Sequence, residues 1–222
     1  MIHLHHCPES RSMRTLWLLH EIGVEFNKTV YPFDASLQSE AYLRLNPLGR
    51  IPALEIDGTV IFESGAMAEL LCERHPKSGL GRAADDPERA EWLQWVHFAE
   101  TTSAHIANLT QQHIMLREDW MRSPTVMKLE ARRLARCYAV VDARLEGRDH
   151  LLAGGFSAAD IGVGQAVWMG RKFVPVANFP RLAGWIDRIT GRPGFEAALP
   201  QPGEPRIYSD DDYPPWPEMP PS

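Results

Sequence analysis

The sequence predicts two units of different class, an α/β layer over residues 1–78 and an all-α helical bundle over 87–199, followed by a tail at 200–222. Three observations carry this reading. Up to His75, short strand-like runs alternate with short helical stripes, and beyond it only the helical period remains. The pair Asp57-Gly58 sits between two apolar runs, as in a tight hairpin. The junction Pro76-Lys77-Ser78-Gly79-Leu80-Gly81 and Asp85-Asp86-Pro87 is rich in chain breakers and reads as a linker.

Ile2 to His6 reads as a strand. Leu16, Leu19 and Ile22 form a helical stripe that stops at Gly23. Glu25 to Tyr31 is extended, and Ser39 to Leu45 is a short helix ended by Asn46-Pro47-Leu48-Gly49. Ala53–Ile56 and Thr59–Phe62 flank the type I′ pair, and a helix follows from Ser64 to Arg74. The order β-α-β-α-β-β-α is an α/β layout closed by an antiparallel hairpin. Behind it, helices are expected from Pro87 to Met115, Val126 to Leu145, Ala158 to Gly170, Pro180 to Thr190 and Phe195 to Leu199. Phe156-Ser157-Ala158-Ala159-Asp160-Ile161 is a capping box with a hydrophobic staple, a folding signal with no catalytic share. The tail, proline-rich and acidic, cannot continue a helix and is either disordered or draped over the surface, with Tyr213 and Trp216 favouring draping.

With 222 residues, 44% of them hydrophobic and 23% charged, the chain can bury a core without staples. No apolar run is long enough for a membrane helix, and the N-terminus lacks the layout of a secretory signal, so a cytoplasmic location is expected. A net charge of −6 without a basic block argues against nucleic acid as a partner. The three cysteines, Cys7, Cys72 and Cys137, are far apart and form neither a disulfide framework nor a zinc site. His3, His5 and His6 lack a further ligand at metal-binding spacing, and no metal is expected. A cytoplasmic protein acting on small molecules fits these limits.

Three segments together resemble the cytosolic glutathione transferase family: Pro8-Glu9-Ser10-Arg11-Ser12-Met13-Arg14, Asn46-Pro47-Leu48-Gly49-Arg50-Ile51-Pro52, and Phe62-Glu63-Ser64-Gly65-Ala66-Met67. Their order and spacing, with the helical half behind them, match that family as far as Leu199. The resemblance implies a thioredoxin-like glutathione-binding domain at 1–78 and an all-helical domain at 87–199. It further implies glutathione as co-substrate, a small electrophilic and hydrophobic second substrate, and a homodimer.

Glutathione is a peptide with two carboxylates, an α-amine and a thiol whose thiolate is the nucleophile. A hydroxyl at a helix N-terminus can donate to that thiolate where the helix amides favour negative charge. In members of the family that use serine, the active residue lies four positions before the arginine that opens the helix. Here these are Ser10 and Arg14, with Ser12 the second candidate. Plain N-capping is the alternative for either serine. The resemblance assigns Pro52 to the family's cis-proline, which exposes the backbone of Ile51 to the cysteinyl part of glutathione, and places Arg50 toward the glycine carboxylate. A strand-opening trans proline and a solvated arginine are the competing readings. Ser64 as an N-cap would meet the γ-glutamyl carboxylate, or simply cap its helix, and Glu63 would accept from the α-ammonium group.

The electrophile pocket is expected on the long helix facing Ser10. His97, Phe98, Thr101, Thr102 and His105 lie there, joined by Trp168 or Arg171, and Phe98, Thr102 and His105 are the assigned lining residues. Core packing is the competing reading for aromatic residues at helical spacing. Two rival functions remain. Cys7 in Cys7-Pro8-Glu9-Ser10 has the outline of a redox turn, although it falls two positions earlier than the cysteine of the cysteine-type transferases. A non-catalytic glutathione-binding module is the other.

Overall fold

The computed structural model describes residues 1–213; the part of the tail from 214 onward, including Trp216, lies outside the described residues. Strand β1 (Ile2–His6) leads into helix α1 (Ser12–Ile22), strand β2 (Asn27–Val30), a short helix α2 (Glu40–Leu43), strands β3 (Ala53–Ile56) and β4 (Thr59–Phe62), and helix α3 (Ser64–Arg74). The sheet order is β2-β1-β3-β4: β1 runs parallel to β2, and the other two pairings are antiparallel. Register places Leu4 opposite Leu54 and Ile2 opposite Ile56, four side chains that share the core. The β3–β4 turn has positive φ at both Asp57 (51°) and Gly58 (80°), as the type I′ geometry requires. This is the expected thioredoxin-like α/β layer.

The helical half comprises α4 (Arg89–Thr110), α5 (Pro124–Arg144), α6 (Ala158–Gly170), α7 (Pro180–Thr190) and α8 (Pro193–Ala198). No helix among the described residues is long and apolar enough to cross a membrane. Three of these helices are bounded differently from expectation, the last of them running Pro193–Ala198 in place of Phe195 to Leu199. The long helix begins at Arg89 and ends at Thr110, after which Gln111–Met115 forms one π-helical turn, so its final residues swing off the α-helical track. Helix α5 begins at Pro124, because Ser123 caps it by accepting from the Val126 amide at 3.3 Å.

Helix α6 is apolar on every side and lies at the centre, nearly every residue buried. A Cβ on Gly162 would stand 3.2 Å from that of Ala99, so the missing side chain lets α6 lie close against α4. The capping box forms as expected: the Ser157 amide donates to Asp160 Oδ2 at 3.0 Å and Ser157 Oγ accepts from the Ala159 amide at 3.3 Å. Asp160 does more than cap. Its Oδ1 accepts from the Leu151 amide at 3.0 Å and from Trp185 Nε1 at 3.2 Å, so one buried carboxylate joins the loop before α6 to α7. Phe156 turns its ring toward Trp17 of α1 (centroids 6.2 Å apart) and carries the Arg192 guanidinium at 3.8 Å.

The two halves meet along α1. Trp17 packs edge-on against Phe195 at 4.9 Å, and Glu21 pairs with Arg192 at 2.7 Å. At its other end α1 sends the buried Arg14 guanidinium into the seam with α3, α4 and α6. The segment after α8 is draped. Tyr208 and Tyr213 pack on Phe173, and the Tyr213 amide donates to the Lys172 carbonyl at 2.7 Å.

Replacing Asp160 with alanine leaves the Leu151, Ser157 and Trp185 donors buried and unpaired, which we expect to cost about 3–5 kcal/mol. Urea denaturation measures this loss. A change below about 1 kcal/mol would show that α6 does not depend on the capping carboxylate.

Candidate active site

Ser10 lies in the turn between β1 and α1 and Ser12 is the first residue of α1, and the two are placed differently. Ser12 is fully buried. Its Oγ accepts from the Cys7 amide at 3.0 Å and lies 2.7 Å from His6 Nδ1 and 2.9 Å from the Cys7 carbonyl. Ser12 is therefore a stitch beneath the turn and lies outside the cavity lining, unlike the other candidate catalytic serine. Ser10 is half-buried and lines a cavity of 690 Å³. Its hydroxyl donates to the Cys7 carbonyl at 2.7 Å, lies 2.8 Å from Ser12 Oγ and accepts from the Ser12 amide at 3.2 Å. The N-cap position of α1 falls to Arg11, which makes no side-chain capping bond; Ser10 accepts from the amide of the first helical residue while its side chain stands at the cavity wall.

His6 lies beneath this turn. Burial is the main cause that lowers its pKa from 6.5 to about 4, with Lys28 adding to the shift, so the ring bonded to Ser12 is neutral. Cys7 is 1% exposed, and burial, helped by Glu9 and Asp34, raises its thiol to about 12. A thiol that stays protonated and inaccessible is a poor nucleophile.

Arg50 and Ile51 join Ser10 on the cavity wall. The Ile51–Pro52 peptide is cis, and the loop before it is tied down where Tyr42 Oη and Asn46 Nδ2 donate to the Arg50 carbonyl at 2.8 and 2.7 Å. Arg50 itself is exposed. Glu63 and Ser64 lie outside this lining, at the start of α3. Ser64 is not the N-cap: that position falls to Glu63, whose φ of 79° is left-handed and whose side chain makes no capping bond. Ser64 is the first helical residue, and its Oγ accepts from Arg14 Nη1 at 3.2 Å. The first-turn amides of α3 therefore have no capping side chain, an arrangement that suits a carboxylate.

The residues assigned to the electrophile side are not in the cavity. Phe98 packs edge-on against Trp95 at 5.1 Å. Thr102 is buried and donates back to the Phe98 carbonyl at 3.2 Å. His105 turns toward α5, with Nδ1 2.7 Å from Glu130 Oε2. The cavity instead receives Ser103, Ile106, Ala107 and Thr110, spaced three and four residues apart on the adjacent stripe of α4. The expectation chose a stripe one residue out of phase, about 100° around the helix. Met169 and Gln165 of α6 complete this side, with Ile207 and Tyr208 from the draped segment.

Two lining residues carry charge or order that the sequence reading passed over. Arg11, beside Ser10 at the N-terminus of α1, pairs with Glu100 at 2.9 Å and brings a cation to the wall. Gln165 Nε2 donates to the Ser10 carbonyl at 3.2 Å, and its Oε1 accepts from Arg14 Nε at 2.9 Å, so helix α6 holds the serine turn directly. Arg11 stands between the two candidate serines in the sequence and was visible there; the reach of Gln165 from 155 residues away was not. The cavity can therefore place an anionic sulfur at a helix N-terminus beside a hydroxyl and a guanidinium, facing an apolar wall.

Comparison with known proteins gives a consistent picture. Residues 1–72 match the family model described as glutathione S-transferase, N-terminal domain, and residues 114–193 match glutathione S-transferase, C-terminal domain. The chain is 26% identical to glutathione S-transferase 3 of Schizosaccharomyces pombe, over 89% of this chain and 86% of that one. It is 28% identical to the disulfide-bond oxidoreductase YfcG of Escherichia coli, over 90% of this chain and 94% of that one. A solved sphingomonad glutathione S-transferase complexed with glutathione superposes with a TM-score of 0.78 at 25% identity, covering 89% of this chain and 96% of that one.

The buried neutral His6 makes stability depend on pH in a defined direction. Between pH 6.5 and about 4 the unfolded chain binds a proton on this ring that the folded chain does not. The stability it confers is present above that window and is lost as pH falls, by up to about 1.4 kcal/mol per pH unit. Urea denaturation at about pH 7 and pH 5 should show this slope, reduced by about one proton in His6→Gln. An unchanged slope in the variant would contradict the assignment.

Proposed function

This chain belongs to the glutathione S-transferase family, and from that premise we propose that it conjugates the glutathione thiolate to a small apolar electrophile, with Ser10 as thiolate donor. The observation that carries the reading is the convergence of Ser10, Arg50 and Ile51 on one cavity whose opposite side is the apolar stripe of α4 and α6. The Ser10 hydroxyl, which now donates to the Cys7 carbonyl, turns to donate to the sulfur, and the N-terminus of α1 and the Arg11 guanidinium favour its negative charge. Arg50 meets the glycine carboxylate. The Ile51 backbone pairs with the cysteinyl unit as an added strand, next to Pro52. At the far end the γ-glutamyl carboxylate takes the open amides and hydroxyl of Ser64, and Glu63 accepts from the ammonium group.

In the reaction the thiol proton leaves to solvent and the sulfur lone pair attacks the electrophilic carbon. The carbon–sulfur bond forms as the bond to the leaving group breaks with its electron pair. Ile106, Met169 and Ile207 offer the electrophile an apolar surface. Assembly as a homodimer in the cytoplasm belongs to the same proposal and rests on the family resemblance.

The similarity to a disulfide-bond oxidoreductase favours one alternative, glutathione-dependent disulfide exchange. The buried, protonated Cys7 does not support the version of that chemistry that uses a protein thiol. Glutathione as the sole thiol would serve: its thiolate attacks one sulfur of the disulfide, and the other departs as thiolate.

Ser10→Ala should lower conjugation of a generic aromatic chloride by about 100-fold in kcat/KM, the scale on which one lost anion donor acts. Calorimetric glutathione affinity should stay within about three-fold of wild type, because the peptide ends are held elsewhere. Cys7→Ser should leave turnover in place. Loss of activity in Cys7→Ser with retention in Ser10→Ala would reverse the assignment.

A further inference from the structure

Directly before Ser10, Glu9 is 4% exposed and holds a left-handed φ of 57°, a conformation that favours glycine. Its carboxylate explains why a glutamate stands there. Oε1 accepts from Arg206 Nε and Nη2 at 3.2 and 3.1 Å, and Oε2 accepts from the Ile207 and Tyr208 amides at 2.8 and 2.9 Å. Four donors from one short stretch of the C-terminal segment therefore converge on one buried carboxylate.

The same segment is fixed at a second place. Tyr208 Oη lies 2.7 Å from Thr110 Oγ1 on α4, and Lys172 Nζ donates to the Asp210 carbonyl at 2.7 Å. Between these ties Ile207 and Tyr208 line the cavity beside Ser10's turn. The sequence from 204 to 210 has neither helical nor strand period, and besides the Glu9 tie the stretch carries an Arg206–Asp210 ion pair at 2.6 Å and a Lys28–Glu204 pair at 2.9 Å.

We propose that Glu9 is a positioning residue that fastens the C-terminal segment over the cavity, making Ile207 and Tyr208 determinants of electrophile specificity. This rests on the glutathione reading above. The wall they make with Ile106 and Met169 is apolar, with the paired Thr110 and Tyr208 hydroxyls at one point, and it suits an extended apolar group on the sulfur. Because Glu9 and Ser10 are consecutive, the serine and the electrophile wall share one rigid turn.

The test compares glutathione with S-hexylglutathione by calorimetry on the full chain. Wild type should prefer the hexyl ligand. Glu9→Gln presents an amide, which carries donors of its own, to four donors, and it should release the segment. Its preference for the hexyl ligand should fall by about five-fold or more, the scale of one to two methylene contacts, with glutathione affinity within about two-fold. Ile207→Ala, which leaves the anchor intact, should also lower the preference. A role in stability alone would weaken both ligands alike. Trypsin cleavage after Arg206 should be faster in Glu9→Gln than in wild type. A wild type that binds both ligands, with the preference intact in both variants, would overturn this inference alone, as would unchanged cleavage. A wild type that binds neither would overturn the glutathione reading and this inference with it.

Discussion

The buried guanidinium of Arg14 is the interaction on which the rest of the molecule depends. It donates to Gln165 Oε1 at 2.9 Å, the Ala99 carbonyl at 3.0 Å, Ser64 Oγ at 3.2 Å, Glu100 Oε2 at 3.3 Å and Ser103 Oγ. Those partners belong to α3, α4 and α6, so one side chain from α1 joins three helices at the seam between the two halves. Burial lowers its pKa to about 10, which leaves it a cation at neutral pH. A buried charge is tolerated only when its donors are met, and here an anionic carboxylate and four neutral acceptors meet them.

The candidate site follows from that hub. Gln165, oriented by Arg14, holds the Ser10 carbonyl; Glu100 is shared between Arg14 and Arg11; Ser64 is drawn to the Arg14 end of α3. Three elements that contact the proposed ligand are thus positioned by a residue outside the cavity lining. Glu9 repeats the device on a smaller scale, a buried ion collecting donors from a distant segment. The cavity wall is built by hydrogen bonds between halves more than by either half alone.

Legibility in the sequence tracks how local each feature is. The Asp57-Gly58 hairpin and the Ser157–Asp160 box were readable because a few adjacent residues determine each. The thioredoxin-like layer and helical bundle were readable from periodicity together with three spaced motifs. The phase of α4 was not, since a helical stripe reports burial without saying whether a helix or a cavity covers it. Ser10 and Ser12 were not separable by composition; the chain sends one to the cavity and buries the other against His6. The draped segment was least readable, because its anchor lies 197 residues away in sequence.

In the proposed function this seam holds glutathione as its thiolate. The direct measurement is the ultraviolet absorbance of the thiolate in the bound complex, followed as a function of pH. Bound glutathione should ionise well below about 8.5, the value of an ordinary free thiol, and be largely thiolate at neutral pH. A bound thiol that titrates at the free value would contradict it, since the α1 N-terminus, Ser10 and Arg11 would then do nothing for the charge they surround.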